Sequence, residues 1–270
     1  MSMLDREMLA LMREVTDKAI LPRFRNLKEG EVEDKGGNDP VTVADREGEA
    51  LLAQGLAKLD PSLAFVGEEG VHADASVLEG LSKPCWIVDP VDGTRNFAHG
   101  EAPFGILIAR AEGGIAQSGW IFDCLTGRFC AAHLGQGAFV DGERITVQTT
   151  GETPPVAALS MIFMRSAHRK AVTEHIAPHY RMVDIPYCCA EQYPRLGLGE
   201  NDVALFERTN AWDHAAGALW LNEAGGKAAR PDGSTYRVDE IERRGLIAAS
   251  DAAIFEDMAA RLAAIPDEPR

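Results

Sequence analysis

Long apolar runs are missing from this 270-residue chain. None approaches the ~20 residues that cross a bilayer, and the opening MSMLDREM is charged where a secretion signal is apolar. No membrane association is therefore expected, and the expected compartment is the cytoplasm. Positive charge is also scarce. With 27 Lys and Arg against 42 Asp and Glu, and a net charge of −15, the chain does not supply the clustered cations that neutralise nucleic-acid phosphates, so no nucleic acid is expected as a partner. An anionic small molecule would need a local positive counter-charge. The five cysteines, Cys85, Cys124, Cys130, Cys188 and Cys189, are odd in number and lack CxxC spacing. This argues against a disulfide frame or a zinc site. Most sit inside apolar runs and read as reduced core residues. Internal repeats, low-complexity tracts and long linkers are absent as well.

What is present is ample core material. Hydrophobic residues make up 46% of the chain, enough for one large domain or two intimately packed ones. Leu4, Met8, Leu11, Val15 and Ala19 fall at helical spacing, so an amphipathic helix is predicted over 3–21, ending at Pro22. EGEVEDKGGNDP reads as a polar, Gly-rich loop. A second helix is predicted for TVADREGEALLAQGLAKL, with Thr42 and Asp45 spaced as a capping pair. Short apolar runs at 63–67, 85–89, 104–111, 115–123 and 128–133 read as strands, the last three forming an antiparallel meander across EGG and CLTG. Beyond TTGETPP (149–155), strands and helices alternate as in an α/β unit. Two halves are expected: 1–150, α+β with an antiparallel sheet and two helices, and 151–270, α/β.

WIVDPVDGT (86–94) delivers Asp89 and Asp92 at the end of a buried strand, followed by a tight turn and a helix start. Such a start aims free N–H groups at an anion. Carboxylates beside it would repel phosphate, and a divalent cation held by hard oxygen ligands removes the conflict. Taken alone, DxxDG also reads as a plain turn with an N-cap. Three further segments share its pattern: VGEEG with Glu68 and Glu69, DPVTVAD with Asp45, and NAWDHAAGALWLNEAGG, which places Asp213 at a helix start.

In this order the segments resemble the inositol monophosphatase family of metal-dependent phosphomonoesterases, within the fructose-bisphosphatase-like group. GEE (67–69), WIVDPVDGTRNF (86–97) and WDHAAGALWLNEAGG (212–226), with DPVTVAD upstream, carry the likeness. It implies a layered αβαβα sandwich, with most metal ligands in the first half and Asp213 and the selectivity residues in the second. It further implies two to three Mg²⁺ per site. Glu68, Asp89 and the Val91 carbonyl would hold one ion, and Asp89, Asp92 and Asp213 a second. A third, looser ion would lie near Glu68. Gly93 and Thr94 N–H groups would bind phosphate, and the Thr94 hydroxyl, paired with Asp45, would orient and deprotonate the attacking water. Glu68, Thr94 and Asp45 are thus the catalytic candidates.

The resemblance makes inositol monophosphate the leading substrate. Histidinol phosphate, 3′-phosphoadenosine 5′-phosphate and fructose 1,6-bisphosphate stay open, because Cys188-Cys189-Ala190-Glu191 stands where a small-residue run is usual. Ala190 and Glu207 are the candidate contacts to the substrate's alcohol, although Glu207 also reads as a solvated strand-end acid. A homodimer and lithium sensitivity are implied as well. A haloacid-dehalogenase-type phosphatase is disfavoured, because its two aspartates alternate along one strand. The non-enzymatic alternative is a metal-stabilised binding protein.

Overall fold

The computed structural model describes residues 1–34 and 40–265. Asp39, the first residue of DPVTVAD, lies outside them. The chain opens with α1 (Met3–Val15), capped reciprocally by Ser2 and Asp5. The helix expected to run on to residue 21 instead ends at Val15, widens into a π-helical turn over Thr16–Ile20, and tightens into a 3₁₀ turn at Leu21–Arg23. Pro22 lacks the N–H needed to continue the α ladder. The polar stretch read as a loop carries a small antiparallel pair, β1 (Val32–Asp34) and β2 (Pro40–Thr42). The capping pair is as expected: α2 (Val43–Leu59) begins with Thr42 and Asp45 bonding each other's backbone N–H groups.

The larger sheet is β3 (Ala64–Gly67), β4 (Cys85–Asp92), β5 (Gly105–Glu112), β6 (Ile115–Asp123), β7 (Phe129–His133), β8 (Gly137–Val140) and β9 (Glu143–Ile145), in that spatial order. Here β3 and β4 are parallel and the remaining pairs antiparallel, so the expected meander is present and is two strands longer than read. Two short helices interrupt the order, α3 (Glu68–Ala73) after β3 and α4 (Thr94–Ala98) after β4. The smaller sheet follows, with β10 (Val156–Leu159), α5 (Ser166–His175), β11 (Arg181–Met182), α6 (Cys189–Gly197), β12 (Val203–Phe206), α7 (Ala211–Glu223), β13 (Lys227–Ala229), β14 (Leu246–Ala249) and α8 (Ala252–Ala263). Its order is β11-β10-β12-β14-β13. The switch of sheet falls between Ile145 and Val156.

Both sheets are buried on two faces, which is why their strands read as unbroken apolar runs. In β4, Trp86 and Val88 meet Met8, Met12 and Leu52 of the outer helices, while Cys85 and Ile87 face α6 and α7. The far face of the smaller sheet packs Ala157, Val203 and Ile247 on Val172 of α5 and Phe255 of α8. The layers therefore run α1/α2, large sheet, α6/α7, small sheet, α5/α8, an αβαβα sandwich. Lying between two sheets, α7 is apolar around nearly its whole circumference, and its alanines permit close approach. A Cβ on Gly119 of β6 would stand 2.8 Å from the Ala216 Cα.

Candidate metal and phosphate site

Two residues spaced three apart on a regular strand point to opposite faces, so Asp89 and Asp92 should not meet. A bulge brings them together. Asp89 pairs with Leu107 of β5, yet Asp92 pairs with Gly105, one residue out of register. Pro90, between them, cannot donate to the ladder, and a bulge is where a sheet tolerates that. On the other side of β4, the parallel register sets Gly67 beside Val88, so the residues that follow, Glu68 and Asp89, emerge together at the strand ends. Asp213 arrives in the first turn of α7. Carboxylate oxygens of Asp89, Asp92 and Asp213 lie within 4.8 Å of one another.

Behind this cluster, Gly93 turns the chain in the left-handed region (φ 87°) to start α4. A side chain there would also press on the Pro103 carbonyl, 2.9 Å from the ideal Cβ. The Thr94 hydroxyl lies 2.8 Å from the Val91 carbonyl and 2.9 Å from Asp45 Oδ1, while Asp45 Oδ2 accepts the Thr42 N–H and hydroxyl. Asp45 therefore serves as a helix cap with one oxygen and as a partner of Thr94 with the other. Asp92 Oδ2 accepts the Ala190 N–H (2.5 Å) and the Cys188 thiol (3.0 Å).

Two supports escaped the sequence reading. Glu49, one turn after Asp45 on α2, accepts the N–H groups of Glu69 and Gly70, each at 2.8 Å, and so anchors the start of α3 that carries Glu68. Its i, i+4 relation to Asp45 was the available signal. Asn96 donates to the Pro103 and Pro186 carbonyls, tying the loop before α6 to α4.

Burial dominates the electrostatics. It pushes Asp45 up to about 7, reinforced by Glu68 and Glu69, and Glu49 up to about 7 despite two backbone bonds. Asp89 rises well above the usual carboxylate range through burial and then Glu68, Asp92 and Asp213. Asp92 is pushed by burial to about 6, against the Ala190 and Cys188 bonds. Buried acids that repel one another and offer only oxygen donors suit hard divalent cations, which compensate the repulsion. The residues present fit Mg²⁺ on that ground.

Glu68, Asp89, Asp92, Gly93, Thr94 and Asp213 line one cavity, with Asp45 and Val91 directly behind Thr94. Among the described residues, neither Ala190 nor Glu207 lines it. Ala190 is buried with its N–H on Asp92, and the Glu207 carboxylate sits 3.5 Å from His168 and 3.8 Å from Arg244. His214, next to Asp213, is held by Tyr193 and the Arg208 carbonyl. Burial lowers its pKa to about 3, so it is neutral, with Nε2–H donating to the carbonyl and Nδ1 accepting the tyrosine hydroxyl. All five cysteines are free thiols, and among the described residues no helix is long and apolar enough to cross a membrane.

The inositol monophosphatase family model matches residues 5–266. The chain belongs to the inositol monophosphatase family. Among its relatives, inositol monophosphatase 2 of Solanum lycopersicum is 32% identical over 238 residues, 83% of this chain and 86% of its own. The fructose-1,6-bisphosphatase/inositol-1-monophosphatase of Thermotoga maritima is 31% identical over 196 residues, 72% and 73% of the two chains. A solved Thermotoga maritima IMPase superposes with a TM-score of 0.81 at 26% identity, covering 98% of each chain. As a member of this metal-dependent family, the protein is a phosphatase acting on small phosphorylated substrates.

Proposed function

We propose that the protein is a Mg²⁺-dependent phosphomonoesterase that releases phosphate from a small metabolite by direct attack of water, using two to three Mg²⁺. Glu68, Asp89, Asp92, Asp213 and the Val91 carbonyl would hold the ions. When bound, Mg²⁺ supplies the Lewis acidity that activates water and offsets the charge on phosphate. Gly93 and Thr94 present backbone N–H groups at the start of α4 to the phosphate oxygens. The Thr94 hydroxyl, in contact with Asp45, orients the attacking water and relays its proton to that carboxylate. No covalent intermediate is required.

The convergence of Asp89 and Asp92 of β4 with Asp213 of α7 carries this reading. Inositol monophosphate, after which its relatives are named, is the first ester to test. Fructose 1,6-bisphosphate follows, then histidinol phosphate and 3′-phosphoadenosine 5′-phosphate. Phosphate release from each, measured in Mg²⁺ and again in excess chelator, should be Mg²⁺-dependent for at least one. Metal binding without turnover on any ester would favour a binding protein. A homodimer and lithium inhibition belong to the same proposal, checked by sedimentation and by lithium titration of the phosphate release.

A further inference from the structure

The cavity has two unlike halves. One carries the acids and the start of α4. The other, where the alcohol portion of an ester would lie, is lined by Ile162, Phe163, Ile185, Pro186, Tyr187 and Phe206. Three of these cavity-lining residues are partly exposed large apolar side chains: Ile162 is 40% exposed, Phe163 37% and Tyr187 46%. Contiguous exposed apolar surface at a cavity mouth marks a binding surface.

Resting on the phosphatase reading above, we infer that this half selects phosphate esters whose alcohol carries an aromatic or heteroaromatic ring, with Tyr187 and Phe163 as the selecting residues. Both rings are held in place. Tyr187 adopts φ 54°, a left-handed conformation that bulky residues seldom occupy and that persists only where the surroundings impose it. Asn96, bonded to the Pro186 carbonyl at 2.9 Å, supplies part of that constraint. The Arg95 guanidinium sits 5.1 Å over the Tyr187 ring, and that of Arg208 sits 3.8 Å over Phe163, so a cation fixes each ring's orientation. Such platforms reward a flat π surface.

A polyol asks for something else. Each of its hydroxyls needs a partner when water is excluded, and the acid best able to accept several, Glu207, faces His168 and Arg244. Beyond the metal-site acids and Thr94, the polar side chains of the cavity wall are Ser160, the Tyr187 hydroxyl, the Cys188 and Cys189 thiols, Gln192, His214 and two arginines, and of these the Gln192 amide is the one buried group that combines a strong donor and a strong acceptor both lacking a partner among the described residues. His214 is already committed to Tyr193 and the Arg208 carbonyl.

The test compares kcat/KM in Mg²⁺ for benzyl phosphate, glycerol 2-phosphate and myo-inositol 1-phosphate. Benzyl phosphate should exceed both polyol esters by at least about tenfold. Tyr187→Asn, which removes the ring while keeping a residue tolerant of positive φ, and Phe163→Ala should each lower the benzyl-to-glycerol ratio by about fivefold. Tyr187→Phe should retain it. Thermal melts of each variant confirm folding. A polyol ester hydrolysed as well as or better than benzyl phosphate overturns the inference, as does a ratio unmoved in both ring-removing variants. Failure of these three esters, and of fructose 1,6-bisphosphate, histidinol phosphate and 3′-phosphoadenosine 5′-phosphate, to release phosphate overturns the Mg²⁺-dependent phosphomonoesterase reading itself, a distinguishable result.

Discussion

Stripped of divalent ions, the protein should become more stable as the pH falls from 8 to 5.5. Asp45 and Glu49 are both held at about 7 by burial, against ordinary values of 3.8 and 4.5. Between those ordinary values and 7 the folded chain binds more protons than the unfolded one, so stability is lost as pH rises through that window. At pH 5.5 each acid lies ~1.5 units below its folded value, ~2 kcal/mol apiece at ~1.36 kcal/mol per unit. His214 opposes this, because its folded value of about 3 lies below the ordinary 6.5. The unfolded chain takes up that proton first, at a cost of ~1.4 kcal/mol at pH 5.5.

The two acids share Glu68 and Glu69 as repulsive neighbours, so their contributions overlap, while Asp89 and Asp92, also raised by burial, add in the same direction, leaving a net gain of at least about 2 kcal/mol, or about 5 °C or more in Tm. Scanning calorimetry in chelator at both pH values reads it directly. Saturating Mg²⁺ should bind the deprotonated carboxylates and so remove or reverse the dependence. A chelated protein whose Tm is flat, or higher at pH 8, would refute the account of these buried acids.

Three substitutions test other parts of the site. Asp92→Asn removes a proposed metal ligand without core volume and should lower phosphate release about 100-fold or more, ~2.7 kcal/mol in the barrier, with an unchanged circular dichroism spectrum; near-normal turnover removes Asp92 from the proposed ligand set. Glu49→Ala frees the start of α3 and should weaken Mn²⁺ binding, followed by calorimetry, by about 10- to 100-fold, whereas Glu49→Gln should recover part of the loss. Gly93→Ala meets both the positive φ and the Pro103 carbonyl and should lower the denaturant midpoint by the equivalent of ~1–3 kcal/mol, an unchanged midpoint showing that the turn relaxes.

Periodicity reached the long elements. The strand read at 115–123 is β6 to the residue, and Asp213 falls in the first turn of a helix as expected, because an apolar run bounded by turns and a Gly-Gly stop are local signals. Thr42 and Asp45 announced their cap for the same reason. What stayed hidden depends on neighbours distant in sequence. The bulge that turns Asp89 and Asp92 to one side is a property of β4 against β5, although Pro90 hinted at it. Glu49 looks like one more charged helix residue until Glu69 and Gly70, 20 and 21 positions on, meet its carboxylate. Likewise, whether Glu207 faces a ligand is decided by His168 and Arg244. The hairpin at β1 and β2 and the short strands β8 and β9 run three or four residues each, too few for an alternation to stand out.

The central claim is that acids from three separate segments enclose divalent cations. Diffraction from crystals soaked in Mn²⁺, collected at a wavelength where manganese scatters anomalously, tests it most directly. Anomalous peaks bounded by Glu68, Asp89, Asp92 and Asp213 are the result expected. A fully soaked crystal with no peak among these four side chains, or with manganese bound only elsewhere, would contradict it.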